Sequence, residues 1–361
     1  MHFSESAKKN IDSCRFCWMC RHICPIGNVT GQERNTARAR ALSLSMVARG
    51  SADFSEDIID NVYQCALCRA CTNDCATGYD PVVYTKEARL MAALEGKMPK
   101  YAERLLLNIE KTGNVYGEKK IDEELMAEIS PGGEKSDTLF YLGTDAIYKT
   151  PKNAIAAIRV LRKAGIKFEL LKDEPESGYA EDFLFGAADE TKKAMKKCAK
   201  TLNEYKTVIV YNPDDAKEFL REYKEWGTDL SANIRTFVSV LAESVKNGSL
   251  KAEKGEKTFT PQDTPSLSRE LEDSESLRDV LSAFGEIKEM LLIKKDTVLC
   301  ANLIMNEYMP GVMKAVAEKR WADALHVGAK TVVTSSPAEY FMLQSTKPEG
   351  IELLSIEEVV L

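Results

Sequence analysis

Eight of the ten cysteines lie within the first 75 residues, in two runs that share one spacing. In each run three cysteines stand three residues apart and a fourth follows four residues later: Cys14, Cys17, Cys20 and Cys24, then Cys65, Cys68, Cys71 and Cys75. Three thiolates at this spacing on a tight turn can bind three irons of one cubane. The sequence therefore predicts two [4Fe-4S] clusters and single-electron chemistry.

The fourth cysteine of each run is expected to bind the cluster of the other run. In the two-cluster bacterial pattern, the step before the fourth cysteine carries the chain away from its own cubane. The predicted ligands of cluster 1 are thus Cys14, Cys17, Cys20 and Cys75, and those of cluster 2 are Cys65, Cys68, Cys71 and Cys24. Crossed ligation holds the two clusters at short range, which suits an electron relay.

Zinc and disulfides are weaker interpretations of these cysteines. Structural zinc uses paired Cys-x2-Cys units that supply four ligands in all, and a third cysteine three residues further on has no place in a tetrahedral site. Disulfide frameworks suit short secreted chains. Residues 1–10 have two lysines and no apolar core, so they do not form a secretory signal. A reducing cytoplasm is the expected setting.

Side chains near the cysteines are candidates for tuning the clusters, because apolar shielding and hydrogen bonds to sulfur set reduction potentials. These candidates are Arg15, Phe16, Trp18, Met19, Arg21, His22 and Ile23 in the first run, and Tyr63, Leu67, Arg69 and Asn73 around the second. Four arginines between the runs, Arg34, Arg38, Arg40 and Arg49, follow helical spacing, which is more often a solvated face than a docking site. With three histidines in the chain, no His-based catalytic site is expected, and no catalytic residue is predicted.

Helices are expected to position both runs. Residues 37–47 alternate apolar and polar side chains at helical period and Gly50 can end that helix, while Asp53 or Ser55 can cap a second helix that continues to Tyr63. A further helix is expected over 79–95. The prediction is a helical cluster domain at 1–98, followed by a linker at 99–135.

From Ser136 the pattern changes to alternating strands and helices. Strands are expected at 138–142, 167–171 and 207–211, and helices at 153–163, 188–202 and 213–226. The corner at 206–213 recurs at 330–337, which indicates an internal duplication into units at 136–230 and 231–361. The polar stretch 246–276 is expected to be a surface connection with one irregular excursion toward the core. The predicted fold class is therefore α+β or α/β multidomain, with two related units and mostly parallel sheets.

Composition excludes several functions. A chain of 361 residues allows two or three domains. A net charge of −7 and a pI near 5.4 argue against nucleic acid as a partner. No apolar run of 18 residues occurs, so membrane contact is expected only through a partner. Gly143 and Thr144 follow a strand without the other glycines of a dinucleotide or phosphate loop, so no flavin or nucleotide site is predicted.

This plan resembles the iron-sulfur proteins built like heterodisulfide reductase subunits, among them the glycolate oxidase iron-sulfur subunit and the small subunit of anaerobic glycerol-3-phosphate dehydrogenase. In that family each α/β unit carries an early Cys, a Cys-Cys-Gly and a Cys-Pro-x-Cys. Here the framing residues remain and the cysteines, apart from one, do not. The first unit has Thr144, then Glu176, Ser177 and Gly178, then Asn212, Pro213, Asp214 and Asp215, and the second has Pro265, then Cys300, Ala301 and Asn302, then Ser336, Pro337, Ala338 and Glu339.

The missing cysteines limit what the resemblance implies. Hydroxyls and carboxylates cannot replace thiolates in soft iron-sulfide ligation, so a third centre and disulfide chemistry are not expected. Glu176, Asp214, Asp215 and Glu339 could gather a hard cation such as Mg²⁺ or Ca²⁺, although solvated acids at helix N-termini are the favoured interpretation. The remaining cysteines, Cys198 and Cys300, are expected to be small buried hydrophobes.

The resemblance implies an iron-sulfur electron-transfer subunit of a cytoplasmic oxidoreductase complex, without a substrate site of its own. The expected partners are a flavoprotein, an FAD-linked dehydrogenase, and a carrier such as a ferredoxin or quinone, within a hetero-oligomer. Two alternatives remain open. One is a non-catalytic scaffold or redox-sensing subunit, and the other is a subunit with an oxygen-ligand metal site in the α/β domain.

Overall fold

The computed structural model describes residues 3–361, which begin with a helical domain around the cysteine runs. Its helices are α1 Glu5–Ser13, α2 Met19–Ile23, α3 Pro25–Thr30, α4 Ala37–Ala48, α5 Glu56–Tyr63, α6 Ala70–Asp74 and α7 Pro81–Leu94. Thr36 caps α4 and Ser55 caps α5, each by accepting a backbone hydrogen bond from the first turn. Gly50 has a φ of 69°, which suits its place after α4.

The stretch expected as a linker, 99–135, contains two helices, α8 Lys100–Thr112 and α9 Glu123–Ile129. Each buries a short apolar face: Ala102 and Leu105 in α8, Leu125 and Ile129 in α9. Because α9 packs on the next unit, the linker is part of the folded body.

The first α/β unit has a three-stranded sheet in which all pairs are parallel, in the order β1-β2-β3. Its elements are β1 Thr138–Tyr141, α10 Thr144–Lys149, α11 Pro151–Lys163, α12 Tyr179–Phe185, α13 Asp189–Leu202, β2 Thr207–Val210, α14 Pro213–Lys217, α15 Tyr223–Glu225, β3 Asn233–Thr236 and α16 Phe237–Lys246. Glu218–Glu222 forms a π-helical turn between α14 and α15. The sheet thus extends beyond residue 230, where the unit was expected to end.

The strand expected at 167–171 is absent from the described fold. Only Glu169 makes isolated bridges, to Gly133 and Leu139. The segment therefore lies along the edge of β1 without joining the sheet as a regular strand.

The second unit has a four-stranded parallel sheet in the order β5-β4-β6-β7. Its elements are β4 Thr258–Gln262, α17 Ser276–Phe284, β5 Glu286–Ile287, α18 Leu303–Asn306, α19 Pro310–His326, β6 Thr331–Thr334, α20 Pro337–Ser345, β7 Glu352–Ser355 and α21 Ile356–Val360. The stretch 246–276, expected as a surface connection with one irregular excursion toward the core, instead contains the regular strand β4 in the interior of this sheet.

The two units repeat one arrangement. Strands β1, β2 and β3 of the first unit match β4, β6 and β7 of the second in sheet order. The strands β2 and β6 are each followed by a helix with proline in its first turn, Pro213 and Pro337, and by a capping residue before it, Asn212 and Ser336. The predicted fold class, a helical cluster domain and two related units with parallel sheets, is confirmed.

Two shared cores hold these parts together. One core lies between the two sheets and includes Phe140 and Phe237, whose ring centroids are 5.7 Å apart, with Val333 and Ile356 of the second unit. Another core joins the cluster domain to α12, α18 and α19. Cys68 of the second cysteine run also lines one cavity with Asp214, after β2, and Ser336, after β6.

Candidate metal centre

The two cysteine runs adopt the same backbone shape. In the first run Phe16 and Trp18 have φ of 53° and 74°, and at the matching positions of the second run Leu67 and Arg69 have φ of 52° and 53°. Non-glycine residues seldom adopt this left-handed region, and such strain clusters at functional sites. A five-residue helix follows in each case, α2 or α6. The chain therefore builds one specialised loop twice.

Four thiols line one cavity beside the second run. They are those of Cys65, Cys68, Cys71 and, from the other run, Cys24. Burial raises the pKa of Cys68 to about 11. Burial, together with the neighbouring thiols of Cys65 and Cys68, also raises the pKa of Cys71 well above its usual value. These four cysteines form a compact, sheltered group.

The other four cysteines include Cys17, which is the exposed one of the eight. Cys14, Cys20 and Cys75 are half-buried, as are the cysteines of the sheltered group. Burial raises the pKa of Cys14, and the nearby thiols of Cys75 and Cys17 raise it further. Burial acts on Cys75 as well, but hydrogen bonding with the hydroxyl of Thr77, at 3.2 Å, and with nearby backbone lowers its pKa overall. The structure thus brings Cys75 to the first run, as it brings Cys24 to the second.

Arg40 shows that the sheltered group suits an anionic cofactor. This arginine is 2% exposed, and it donates to the carbonyls of Asn61 and Asn35 at 2.9 and 3.0 Å. Its Nη2 has no hydrogen-bond partner among the described residues. Burial alone would lower the pKa of Arg40, but the thiols of Cys65 and Cys24 raise it. A buried donor left unpaired beside thiols fits a cluster whose sulfurs carry negative charge.

The second run is also held by residues from outside its domain. Arg269 donates to the carbonyl of Cys68 at 2.8 Å. Arg69, between two cysteines, forms ion pairs with Asp80 and Glu270, the latter at 2.9 Å. Since Arg269 and Glu270 belong to the π-helical turn Ser266–Glu270 of the second unit, that unit fixes the position of the sheltered loop.

The four arginines expected to share a solvated face do not do so. Arg40 is buried, as described above. Arg34 pairs with Asp57 at 2.9 Å, Arg38 with Glu33, and Arg49 with Asp12 at 2.9 Å. The burial of Arg40 was not predicted, because helical spacing alone does not show which side of α4 faces the cysteine runs.

The acids that replace the family cysteines are not solvated, so that expectation is wrong. Asp215 and Glu339 are buried. Glu339 accepts from Thr334 and Gln262 at 3.0 and 3.2 Å, and burial raises its pKa to about 8. Asp215 accepts from Ser177, and burial raises its pKa well above the usual value.

The remaining two acids, Glu176 and Asp214, accept hydrogen bonds from hydroxyl groups. Thr144 donates to Glu176, and Ser266 of the second unit donates to Asp214. Across residues 3–361, no three His, Cys, Asp or Glu side chains are placed to hold a single metal ion. The four carboxylates thus form separate hydrogen-bonded pairs and do not form the oxygen-ligand site considered from the sequence. Cys198 and Cys300 are both fully buried, as predicted.

One buried charged group was missed from the sequence. Lys86 of α7 forms ion pairs with Asp182 and, at 2.9 Å, with Glu222, and Lys217 pairs with Glu218 at 2.9 Å. This group joins the cluster domain to the first unit. Lys86 lies on the same helical face as Val82 and Arg89, but only the structure shows that this face is buried.

Comparison with known proteins identifies the class of the cluster domain. Residues 10–79 match the family described as 4Fe-4S dicluster domain. The chain is 25% identical over 360 residues to one subunit of the dihydromethanophenazine:CoB–CoM heterodisulfide reductase of Methanosarcina acetivorans, covering 91% of this chain and 87% of that one. The predicted resemblance to heterodisulfide reductase-like iron-sulfur proteins is thereby confirmed.

Two longer proteins also resemble the chain. A Bacillus subtilis protein, named a probable iron-sulfur-binding oxidoreductase, FadF, is 27% identical over 293 residues, with 73% of this chain covered. The chain spans 41% of the length of that relative. A probable membrane-anchored ferredoxin of Chromohalobacter salexigens is 22% identical over 411 residues, covering 99% of this chain and 60% of its own length. Within residues 3–361, no helix combines the length and apolarity needed to cross a membrane.

Proposed function

We propose that the protein is the electron-transfer subunit of an oxidoreductase complex, with two [4Fe-4S] clusters held by crossed ligands. Cys14, Cys17, Cys20 and Cys75 hold cluster 1, and Cys65, Cys68, Cys71 and Cys24 hold cluster 2. The observation that carries this proposal is the cavity that Cys24 shares with three cysteines of the other run. A bound cluster of this type supplies reversible one-electron chemistry.

The surroundings of the two cysteine groups suit the two clusters to different roles in electron transfer. The exposed thiol of Cys17 leaves the cluster-1 group open to a partner, whereas Cys68 of the cluster-2 group lines a cavity together with residues of both α/β units. The charge of Arg40 favours an added electron at cluster 2, because the reduced state is the more negative one. Electrons therefore exchange with partners at cluster 1 and are stored or passed on at cluster 2.

The partners are proposed from the family resemblance and from the relatives' names. The Methanosarcina relative is named as one subunit of a heterodisulfide reductase, which supports a hetero-oligomer here. One partner is a flavoprotein, an FAD-linked dehydrogenase, and the other is a ferredoxin, a quinone or a similar carrier. We place the protein in the cytoplasm, where it reaches a membrane only through a partner.

Iron content and redox titration test the function itself. Purified without oxygen, the protein should hold about eight irons per chain and take up two electrons in one-electron steps. About four irons, or clusters that no reductant reduces, would refute the relay. Reducible clusters that have no influence on electron flow through the assembled complex would instead favour a scaffold or redox-sensing role.

A matched pair of double variants tests the crossed ligands. Cys17→Ser removes one ligand of cluster 1 in both. With crossed ligation, Cys17→Ser/Cys75→Ser leaves all four ligands of cluster 2 and retains about four irons. Cys17→Ser/Cys24→Ser damages both sets and retains fewer. The opposite order of iron contents would show that each run binds its own cluster.

A further inference from the structure

The surface around cluster 1 exposes an unusual number of apolar side chains. Phe16, Trp18 and Met19 are 38%, 42% and 55% exposed, and Leu42 and Met46 of α4 are 44% and 43% exposed. Phe16, Leu42 and Met46 line one groove together with Cys14. We call the five apolar residues the cluster-1 face. Large exposed apolar patches on otherwise polar proteins mark interaction sites.

The fold holds this face in place. Phe16 and Trp18, on either side of the exposed Cys17, both have the strained positive φ described above. Two arginines stack on the Trp18 ring, Arg38 at 4.3 Å and Arg21 at 5.4 Å from its centroid. Cation–π contacts of this kind restrain an exposed ring. Aromatic residues and arginine are enriched at the centres of protein interfaces, so this rigid surface has the composition of a binding site.

The segment that carries the face is basic, although the whole chain is acidic. Residues 8–49 contain eight Lys and Arg against two acidic residues, a net charge of +6, whereas the chain carries −7. Of these cations Arg40 is buried, and three other arginines pair with acids. Arg15 and Arg21 are exposed, and neither forms an ion pair with any residue from 3 to 361. A basic rim on an acidic protein selects an acidic partner and speeds its encounter.

We propose that the cluster-1 face docks a small acidic protein that carries a one-electron centre at its own surface. The proposal rests on the electron-transfer function above and names the chemistry of one partner. An apolar centre and a basic rim surround the more exposed group of cysteines. An acidic carrier docked there would exchange one electron with cluster 1, its own centre being oxidised as the cluster is reduced.

The test uses the whole protein with its clusters and a chemically reduced plant-type [2Fe-2S] ferredoxin as the acidic probe. Stopped-flow mixing under anaerobic conditions measures the second-order rate at which one electron passes from each ferredoxin to the oxidised protein. We expect this rate to fall about tenfold or more as salt rises from about 20 to about 300 mM. Reduced methyl viologen, a small cationic donor that needs no docking, serves as the reference reductant.

Three variants separate charge, apolar contact and general effects. Arg21→Glu should lower the ferredoxin rate about tenfold at low salt, and Trp18→Ala should lower it at both salt concentrations. Lys196→Glu makes the same change of charge on exposed α13, in the first α/β unit, and should change the rate less than about twofold. The ferredoxin rate of each variant is divided by its methyl viologen rate, which corrects for the change that the substitution makes in the potential of cluster 1. If Arg21→Glu loses iron, Arg21→Gln replaces it.

The outcomes are distinguishable. Equal ferredoxin rates for Arg21→Glu, Trp18→Ala and Lys196→Glu would overturn the docking proposal and leave the electron-transfer function standing. The docking proposal would also be overturned if the cluster-1 face bound anionic lipid vesicles while Arg21→Glu and Trp18→Ala left the ferredoxin rate unchanged. Failure of methyl viologen to reduce the wild-type protein would refute the electron-transfer function, and the docking proposal with it.

Discussion

Arg89 is the largest fully buried side chain, and its removal should weaken the attachment of the cluster-2 loop. Its guanidinium donates to the carbonyls of Val62, Tyr63 and Cys65, at 3.2, 3.3 and 2.6 Å, and to that of Phe183 in α12. The first two carbonyls belong to the C-terminal turn of α5, where a cation is favoured. They also accept from the backbone of Cys65 and from the hydroxyl of Tyr308, respectively. Arg89→Met therefore removes a donor to four carbonyls, two of which keep another donor.

The expected loss follows from these contacts. Hydrogen bonds to a charged group contribute about 1.5–3 kcal/mol each, and an acceptor left unpaired away from water costs about 1–3 kcal/mol. The four contacts share one group, so they do not add fully. A loss equal to two full contacts is about 4 kcal/mol. The ring contacts to Tyr63 and Phe183, at 5.1 and 4.6 Å, weaken as well.

Anaerobic guanidinium titration, followed by circular dichroism and by the visible absorbance of the clusters, measures this loss. Arg89→Lys keeps the charge but not the planar fork, and should fall between wild type and Arg89→Met. Arg104→Met is the control, since Arg104 is exposed and donates once, to Glu307 at 2.9 Å. It should lie within about 0.5 kcal/mol of wild type. If Arg89→Met also does so, the assignment of Arg89 as an anchor is wrong.

Three further predictions concern charge and close packing. Arg40→Gln should retain iron but make the reduction potential of cluster 2 more negative by on the order of 60 mV, because a positive charge that stabilises the reduced cluster is lost. Redox titration measures the potential, and an unchanged value would show that Arg40 does not act on the cluster. Burial raises the pKa of Glu357 to about 7, so its neutral form supports folding at low pH and this support is lost as pH rises through 7. Glu357→Gln should therefore flatten the decline of the melting temperature between about pH 5 and 8, and an unaltered decline would contradict this. Gly143→Ala should cost about 2 kcal/mol or more in urea denaturation, since φ is 87° and the new Cβ would lie 2.2 Å from Oδ2 of Asp215; an unchanged midpoint would show that the site relaxes.

The helical cluster domain was largely predictable because its signals are local. Capping by Ser55 and the end of α4 just before Gly50 are read from neighbouring residues, and both occur where expected. The inward direction of Arg40 and Lys86 was not predictable. Their burial depends on what packs against α4 and α7, and a charged side chain in a helical pattern reads as solvated until its partners are known.

Strand β4 shows why one part of the second unit was missed. The segment around it is polar, and Pro261 lies inside the strand, which in a sequence argues against an interior strand. In the sheet, β5 pairs only with Thr258 and Phe259, so at Pro261 the strand has a neighbour on one side alone. The proline therefore costs no ladder hydrogen bond on the side that lacks a neighbour. Pro261 fits in the interior strand β4 because β5 is only two residues long. The sequence gives no sign of this short length.

The polar residues at the strand ends explain how the α/β units stay folded without the cysteines that the family resemblance implies there. Ser177 donates to Asp215 in the first unit, and Gln262 donates to Glu339 in the second. Burial raises the pKa of both carboxyls, which favours their neutral form and reduces the cost of keeping them from water. These pairs fill the strand ends with hydrogen bonds, while Arg269 of the second unit reaches the carbonyl of Cys68. In this chain the α/β units thus support the sheltered cysteine group, which in the proposed function holds cluster 2, while the exposed Cys17 lies in the N-terminal domain.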